Sequence, residues 1–262
     1  MGRIICIANQ KGGVGKTTTT VNLAASLAEM KKKVLLIDLD PQGNATMGSG
    51  VEKYQLQFSA LDVLLGEQSL EGALKPSVKK MFDVLPANSD LTAAEVQLFE
   101  LPMREKRLCI ALKTIEKNYD FILIDCPPSL NMLTVNSLMA SDGVLVPIQT
   151  EYYALEGLSE LLSTIDQIKA HGNPNLQIEG IVRTMHDPRN NLANEVSGQL
   201  IRHFGDKVFR TIIPRNVRVA EAPSHGLPIM LYDKESRGSI SYRALASEMV
   251  RRYQLQPSSI SA

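Results

Sequence analysis

Short unbroken apolar runs alternate along this chain with longer stretches in which apolar residues recur every three or four positions. The first rhythm fits strands buried on both faces, and the second fits amphipathic helices. Strands are expected at 4–8, 34–38, 121–125, 144–148 and 178–182. Helices are expected at 18–30, 61–65, 104–117, 130–139, 155–170, 192–204 and 242–252. This alternation implies an α/β fold, a mostly parallel twisted sheet flanked by helices on both faces. Between 48 and 104 the rhythm weakens, and short helices with one strand at 81–85 are the expectation. The Ser-rich stretch 256–262 reads as a frayed tail. No repeat, coiled coil or linker interrupts the chain, so 1–262 is expected to form a single domain.

Composition narrows the setting. With 262 residues, 44% of them hydrophobic, the chain can bury one sizeable core. No apolar run reaches the ~20 residues that a membrane-spanning helix needs. The first strand begins so near Met1 that no signal peptide is expected. Three cysteines, Cys6, Cys109 and Cys126, are odd in number and widely spaced. Cys6 and Cys126 fall in or beside buried strands, which favours packing over a disulfide or a metal. A reducing cytoplasm fits that usage. The formal net charge is zero, yet from Ile181 onward twelve basic residues face seven acidic ones, a surplus of five. A polyanion partner and ordinary solvated charge both account for such a surplus.

Chemistry enters directly after the first strand. Lys11-Gly12-Gly13-Val14-Gly15-Lys16-Thr17-Thr18 separates that strand from an Ala/Leu-rich helix. Strand, glycine loop and helix N-terminus together form a phosphate cradle, with backbone N–H groups and the positive helix end facing the anion. Lys16 can bring its ammonium to the β/γ-phosphates, and the Thr17 hydroxyl can ligate Mg²⁺. These features predict a P-loop NTPase. The loop departs from G-x-x-x-x-G-K-[ST], because Gln10 holds the first glycine position and a second lysine, Lys11, follows it. Asp125 ends an apolar strand, the Walker B pattern of a metal-supporting acid. Asp38 and Asp40 stand at the mouth of the second strand, where either could serve the site or close an Asx turn.

The lysine-bracketed loop resembles the deviant Walker ATPases, and further stretches narrow the resemblance to the ParA/Soj partition proteins. These are L-I-D-L-D-P-Q-G-N at 36–44, D-C-P-P-S at 125–129, E-Y-Y-A-L-E-G at 151–157 and I-P-R-N-V-R-V-A-E-A-P-S-H-G at 213–226. The resemblance implies an ATP-dependent sandwich homodimer in which Lys11 reaches the partner's nucleotide. It implies that Asp40 positions the attacking water, that Asp38 supports the metal with Thr17 and Asp125, and that 125–129 forms a switch. Glu151 would lie near the nucleotide sugar across the dimer, and Pro214, Arg215 and Asn216 would line the adenine.

The same resemblance implies that Arg189 and Arg218 bind double-stranded DNA without sequence preference, that a ParB-type protein is the partner, and that the protein is cytoplasmic and nucleoid-associated. The residues ahead of the first strand match neither the helix-turn-helix extension of larger plasmid relatives nor a basic N-terminal arm, so recognition of an operator sequence is not expected. A MinD-like membrane-cycling ATPase is the main rival, but the C-terminal stretch is polar and carries Pro257. A nitrogenase-type iron–sulfur reductase needs two cysteines per subunit at the dimer axis, and only Cys126 lies near the switch.

Overall fold

The apolar runs pair into one sheet. In the computed structural model, which describes residues 2–255, the strands are β1 (Arg3–Ile7), β2 (Val34–Asp38), β3 (Lys75–Pro76), β4 (Asp83–Leu85), β5 (Phe121–Asp125), β6 (Gly143–Gln149), β7 (Gln177–His186) and β8 (Val208–Pro214). They lie in the order β3-β4-β2-β5-β1-β6-β7-β8, parallel throughout except for the β3–β4 pair.

Successive side chains of a strand face opposite layers, and β1 shows the division clearly. Ile4 and Cys6 join the core beneath helices Met132–Ala140, Ala154–His171 and Asn191–Phe204, whereas Ile5 and Ile7 join the core beneath Lys16–Glu29 and Arg237–Leu255. Every residue of β2 and β5 is buried, as strands covered on both faces must be. The chain leaves β1 toward β2 on one side and leaves β6 toward β7 on the other. The carboxyl ends of β1 and β6 therefore flank the crevice where doubly wound sheets bind ligands.

Several elements differ from the sequence reading. The 104–117 helix shortens to Arg107–Leu112, with 3-10 turns on either side. Met103, just before the first of those turns, takes a left-handed φ of 53°. The last helix starts earlier, at Arg237, and Val219 packs where a Cβ on its Gly238 would stand. The two-residue β3 was not expected. Nor was β8, an edge strand of mixed burial that lacks a continuous apolar run. The tail at 256–262 lies outside the described residues.

Side chains close the free edge of β8. The Glu248 carboxylate accepts the backbone N–H groups of Arg210 at 2.8 Å and Thr211 at 2.9 Å. Arg252 donates to the carbonyls of Asp206 and Val208. On the paired side, Arg183 of β7 donates to the carbonyls of Phe209 and Arg210 where the β7–β8 register is irregular. An open edge is a template for aggregation, and this one offers little to another strand.

Candidate nucleotide site

The loop after β1 is pinned on two sides. Asn9 donates its amide to the Pro147 carbonyl at 2.8 Å and accepts the Lys11 N–H at 3.0 Å. Thr184 at the end of β7 donates its hydroxyl to the Val14 carbonyl at 2.7 Å. Gly13 and Gly15 sit at φ of 74° and 88°, the left-handed region that a Cβ penalises. No heavy atom lies within 4 Å of where a Cβ would stand on Gly12 or Gly13. The loop therefore presents an open, backbone-lined concavity. Gly15 caps the helix Lys16–Glu29 without a side-chain bond, which leaves first-turn N–H groups for an anion.

Lys16 is buried, and its Nζ donates to the Lys11 carbonyl at 3.1 Å. Burial lowers its pKa, against the pull of Asp125 and Asp40. The Thr17 hydroxyl donates to Asp125 Oδ2 at 2.7 Å and the Thr20 hydroxyl to Oδ1 at 2.9 Å. Burial, then the neighbouring Asp38, pushes Asp125 up to about 8, and burial raises Asp38 to about 6. Three carboxylates crowd one low-dielectric site, which a divalent cation would relieve. The hard oxygens of Thr17 and Asp125 suit Mg²⁺, which takes few protein ligands and keeps waters and phosphates for the rest. Accordingly, the described residues contain no all-protein cluster of three His, Cys, Asp or Glu ligands.

Asp38 is fully engaged within the fold. It accepts the Thr46 N–H and hydroxyl, both at 2.7 Å, and the Asp40 N–H at 3.1 Å. Thr46 accepts the Ala87 N–H in turn. Asp38 thus staples the short helix Asn44–Gly48 and the 87 segment beneath the loop. Asp40 accepts the Gln42 N–H through Oδ1 at 2.9 Å, an Asx turn, and its Oδ2 has no partner among the described residues.

Lys11 and Glu151, both expected at the partner's nucleotide, meet each other within one chain. Lys11 Nζ donates to Glu151 Oε2 at 2.9 Å, and Gln149 donates to Oε1. The pair bridges the carboxyl ends of β1 and β6. Glu151 makes no side-chain cap to the following helix.

Asn216 follows β8, and its Oδ1 accepts the Val219 N–H at 3.1 Å, capping Val217–Glu221. Its amide N–H groups carry no such bond among the described residues, Arg215 is exposed, and Pro214 pairs with His186. Arg189 lies in the turn after β7 with its side chain 89% exposed, held bidentately by Asp187. Arg218 is exposed on the first turn after Asn216 and pairs with Glu221 at 2.9 Å. These arginines follow neighbouring parallel strands, so the sheet carries both to the end where the loop lies. The Cys6 and Cys126 sulfurs, both buried and free, pack 3.1 Å apart.

The sequence reading missed Asn9, Thr20, Thr46 and Thr184. Thr20 had a signal, since it stands one helical turn beyond Thr17. Thr184 had none, being 170 positions from the carbonyl it holds.

A family model described as an AAA domain matches residues 2–178. The sporulation initiation inhibitor protein Soj of Bacillus subtilis is 52% identical over 249 residues, covering 95% of this chain and 98% of its own. The chain belongs to the Soj/ParA family of chromosome-partitioning ATPases. The chromosome partitioning protein ParA of Myxococcus xanthus is 51% identical, over 96% of this chain and 89% of its own. Among solved structures, a Mycobacterium smegmatis protein named cobyrinic acid a,c-diamide synthase, with bound ADP and magnesium, superposes with a TM-score of 0.85. It is 36% identical and covers 97% of this chain and 96% of its own.

Proposed function

We propose that this Soj/ParA chain is an ATP-driven DNA-partitioning switch. Two lysines on one glycine loop support this reading most directly: Lys16 buried against the loop, and Lys11 half-exposed at its mouth. Phosphoryl transfer depends on positioning and cationic charge, commonly completed by a residue from a partner. Lys16 and the loop N–H groups would hold the β- and γ-phosphates, while Thr17 and Asp125 would hold Mg²⁺, which supplies charge neutralisation when bound. Asp40 Oδ2 would orient the attacking water. In the ATP state Lys11 leaves Glu151 and serves the second subunit, and Pro214–Asn216 receive the adenine.

The resulting homodimer doubles the Arg189 and Arg218 surface, so two linked patches bind the DNA backbone with an avidity that one lacks. Hydrolysis is slow until a ParB-type partner stimulates it and releases the DNA, giving a nucleoid-associated cycle in the cytoplasm. The deciding experiment measures binding to duplex DNA with ATP, with ADP and without nucleotide. Binding with ATP alone is expected. Equal binding in all three states would overturn the switch, and ATP-dependent co-sedimentation with liposomes would favour a membrane cycle instead.

A further inference from the structure

A groove of about 860 Å³ runs beside the free edge of β8, at the strand's amino end and away from the phosphate loop. We infer that this groove docks an acidic, extended peptide segment of a protein partner, its carboxylates held by Lys207, Arg210 and Arg251 beside the exposed apolar side chain of Ile201.

The first support is Arg183, only 5% exposed and lining the groove. Its partners are all neutral: the Ser197 hydroxyl at 2.9 Å and the carbonyls of Phe209 at 2.8 Å and Arg210 at 3.2 Å. Its Nε has no partner. A buried cation without a contacting anion is costly, and an acidic occupant would offset that cost. Glu248 offsets part of that cost through its nearby charge, but its oxygens are engaged by Arg210, Thr211 and Arg252 and none of them contacts Arg183.

The second support is the rim. Lys207, Arg210 and Arg251 are exposed, and none pairs with a carboxylate among the described residues.

The edge strand's backbone is capped by Glu248 and Arg252, so the occupant must be read by side chains rather than added as a strand. The groove also favours a peptide over duplex DNA. Glu179, Asp206 and Glu248 stand among its basic residues and would repel a continuous phosphate backbone. Acidic side chains spaced along a peptide can meet the rim cations while apolar ones lie against Ile201. Arg252, stacked 3.9 Å over the buried Phe209 ring, seals that ring beneath the groove.

The test uses the full chain and a fluorescein-labelled octapeptide of alternating Glu and Leu, followed by fluorescence anisotropy. A Lys/Leu octapeptide serves as control. Expected results are saturable binding of the acidic peptide alone and at least tenfold weaker binding in the Lys207→Glu, Arg210→Glu, Arg251→Glu triple variant. ATPase activity of that variant should be unchanged, since these residues lie at the far end of the sheet from the phosphate loop. No binding of the acidic peptide, unchanged binding in the triple variant, or displacement by duplex DNA would overturn the proposal. The last result would make the groove a nucleic-acid face.

Discussion

Asp40 and Asp125 are carboxylates in opposite circumstances. Asp40 has one oxygen tied in an Asx turn and the other without a partner, so truncating it removes little from the fold. Asp40→Ala is expected to keep ATP binding while lowering turnover about 10²-fold or more, the range of a lost positioned base. Single-turnover phosphate release with a parallel nucleotide-binding titration checks this, and parental turnover would exclude the water-orienting role. Asp125 is raised from an ordinary 3.8 to about 8, chiefly by burial. Between those values the folded chain carries a proton that the unfolded chain has released, so stability falls as pH rises through that window. Asp125→Asn removes the penalty. At pH 8 the ligand-free variant should melt above the parent by at least about 2–4 °C, what each ~1 kcal/mol is worth in a chain near this size. With Mg²⁺ and nucleotide the order should reverse, because a cation needs the carboxylate. Differential scanning fluorimetry against pH reads both arms.

Among the elements, β8 shows how a strand can be hidden from pattern reading. Its burial is mixed, and what holds it is polar: Glu248 and Arg252 from the last helix and Arg183 from the neighbouring strand. Glu248→Ala would leave two backbone N–H groups and the Thr211 hydroxyl without their acceptor, while Arg252 keeps the Asp206 and Val208 carbonyls. A loss of ~2–3 kcal/mol is expected, since hydrogen bonds to a charged group are worth ~1.5–3 kcal/mol each and water partly replaces them. Urea unfolding monitored by circular dichroism measures it, and a loss below ~0.5 kcal/mol would show that the edge does not depend on this carboxylate. The strands β1, β2 and β5 needed no such help. Their continuous apolar sequences announce a buried parallel sheet, and the structure places them where that pattern puts them.

For the whole molecule, the Lys11–Glu151 pair is a contact that dimerisation must exchange. Both side chains are substantially exposed, 38% and 47%, so the pair contributes little stability and is readily given up. Lys11→Ala is expected to bind ATP as a monomer and to show no dimer peak in size-exclusion with a slowly hydrolysed ATP analogue. A normal dimer peak would remove Lys11 from the interface. On the DNA side, Arg189→Glu combined with Arg218→Glu should abolish ATP-dependent DNA binding while leaving that dimer intact. For the parent, log affinity should fall with log salt at ~0.9 per phosphate neutralised. Fluorescence anisotropy across a salt series tests both statements, and tight binding by the double variant would mean that another surface meets the DNA.

The loop chemistry was legible in sequence because it is local. A strand, three glycines, two lysines and a threonine are contiguous, and backbone geometry alone turns them into a phosphate cradle. Walker B was legible for the same reason, as an acid closing an apolar run. Tertiary structure decided whatever depends on residues far apart in the chain. It brought Thr184 onto the Val14 carbonyl and made Asp38 a staple through Thr46. It also paired Lys11 with Glu151 across 140 positions. The edge of β8 and its groove belong to the same class, since one arginine from β7, one strand and the final helix meet only after the sheet is assembled. Contiguous residues carry their geometry with them, whereas a hydrogen bond between distant residues exists only once packing has brought donor and acceptor within 3 Å or so.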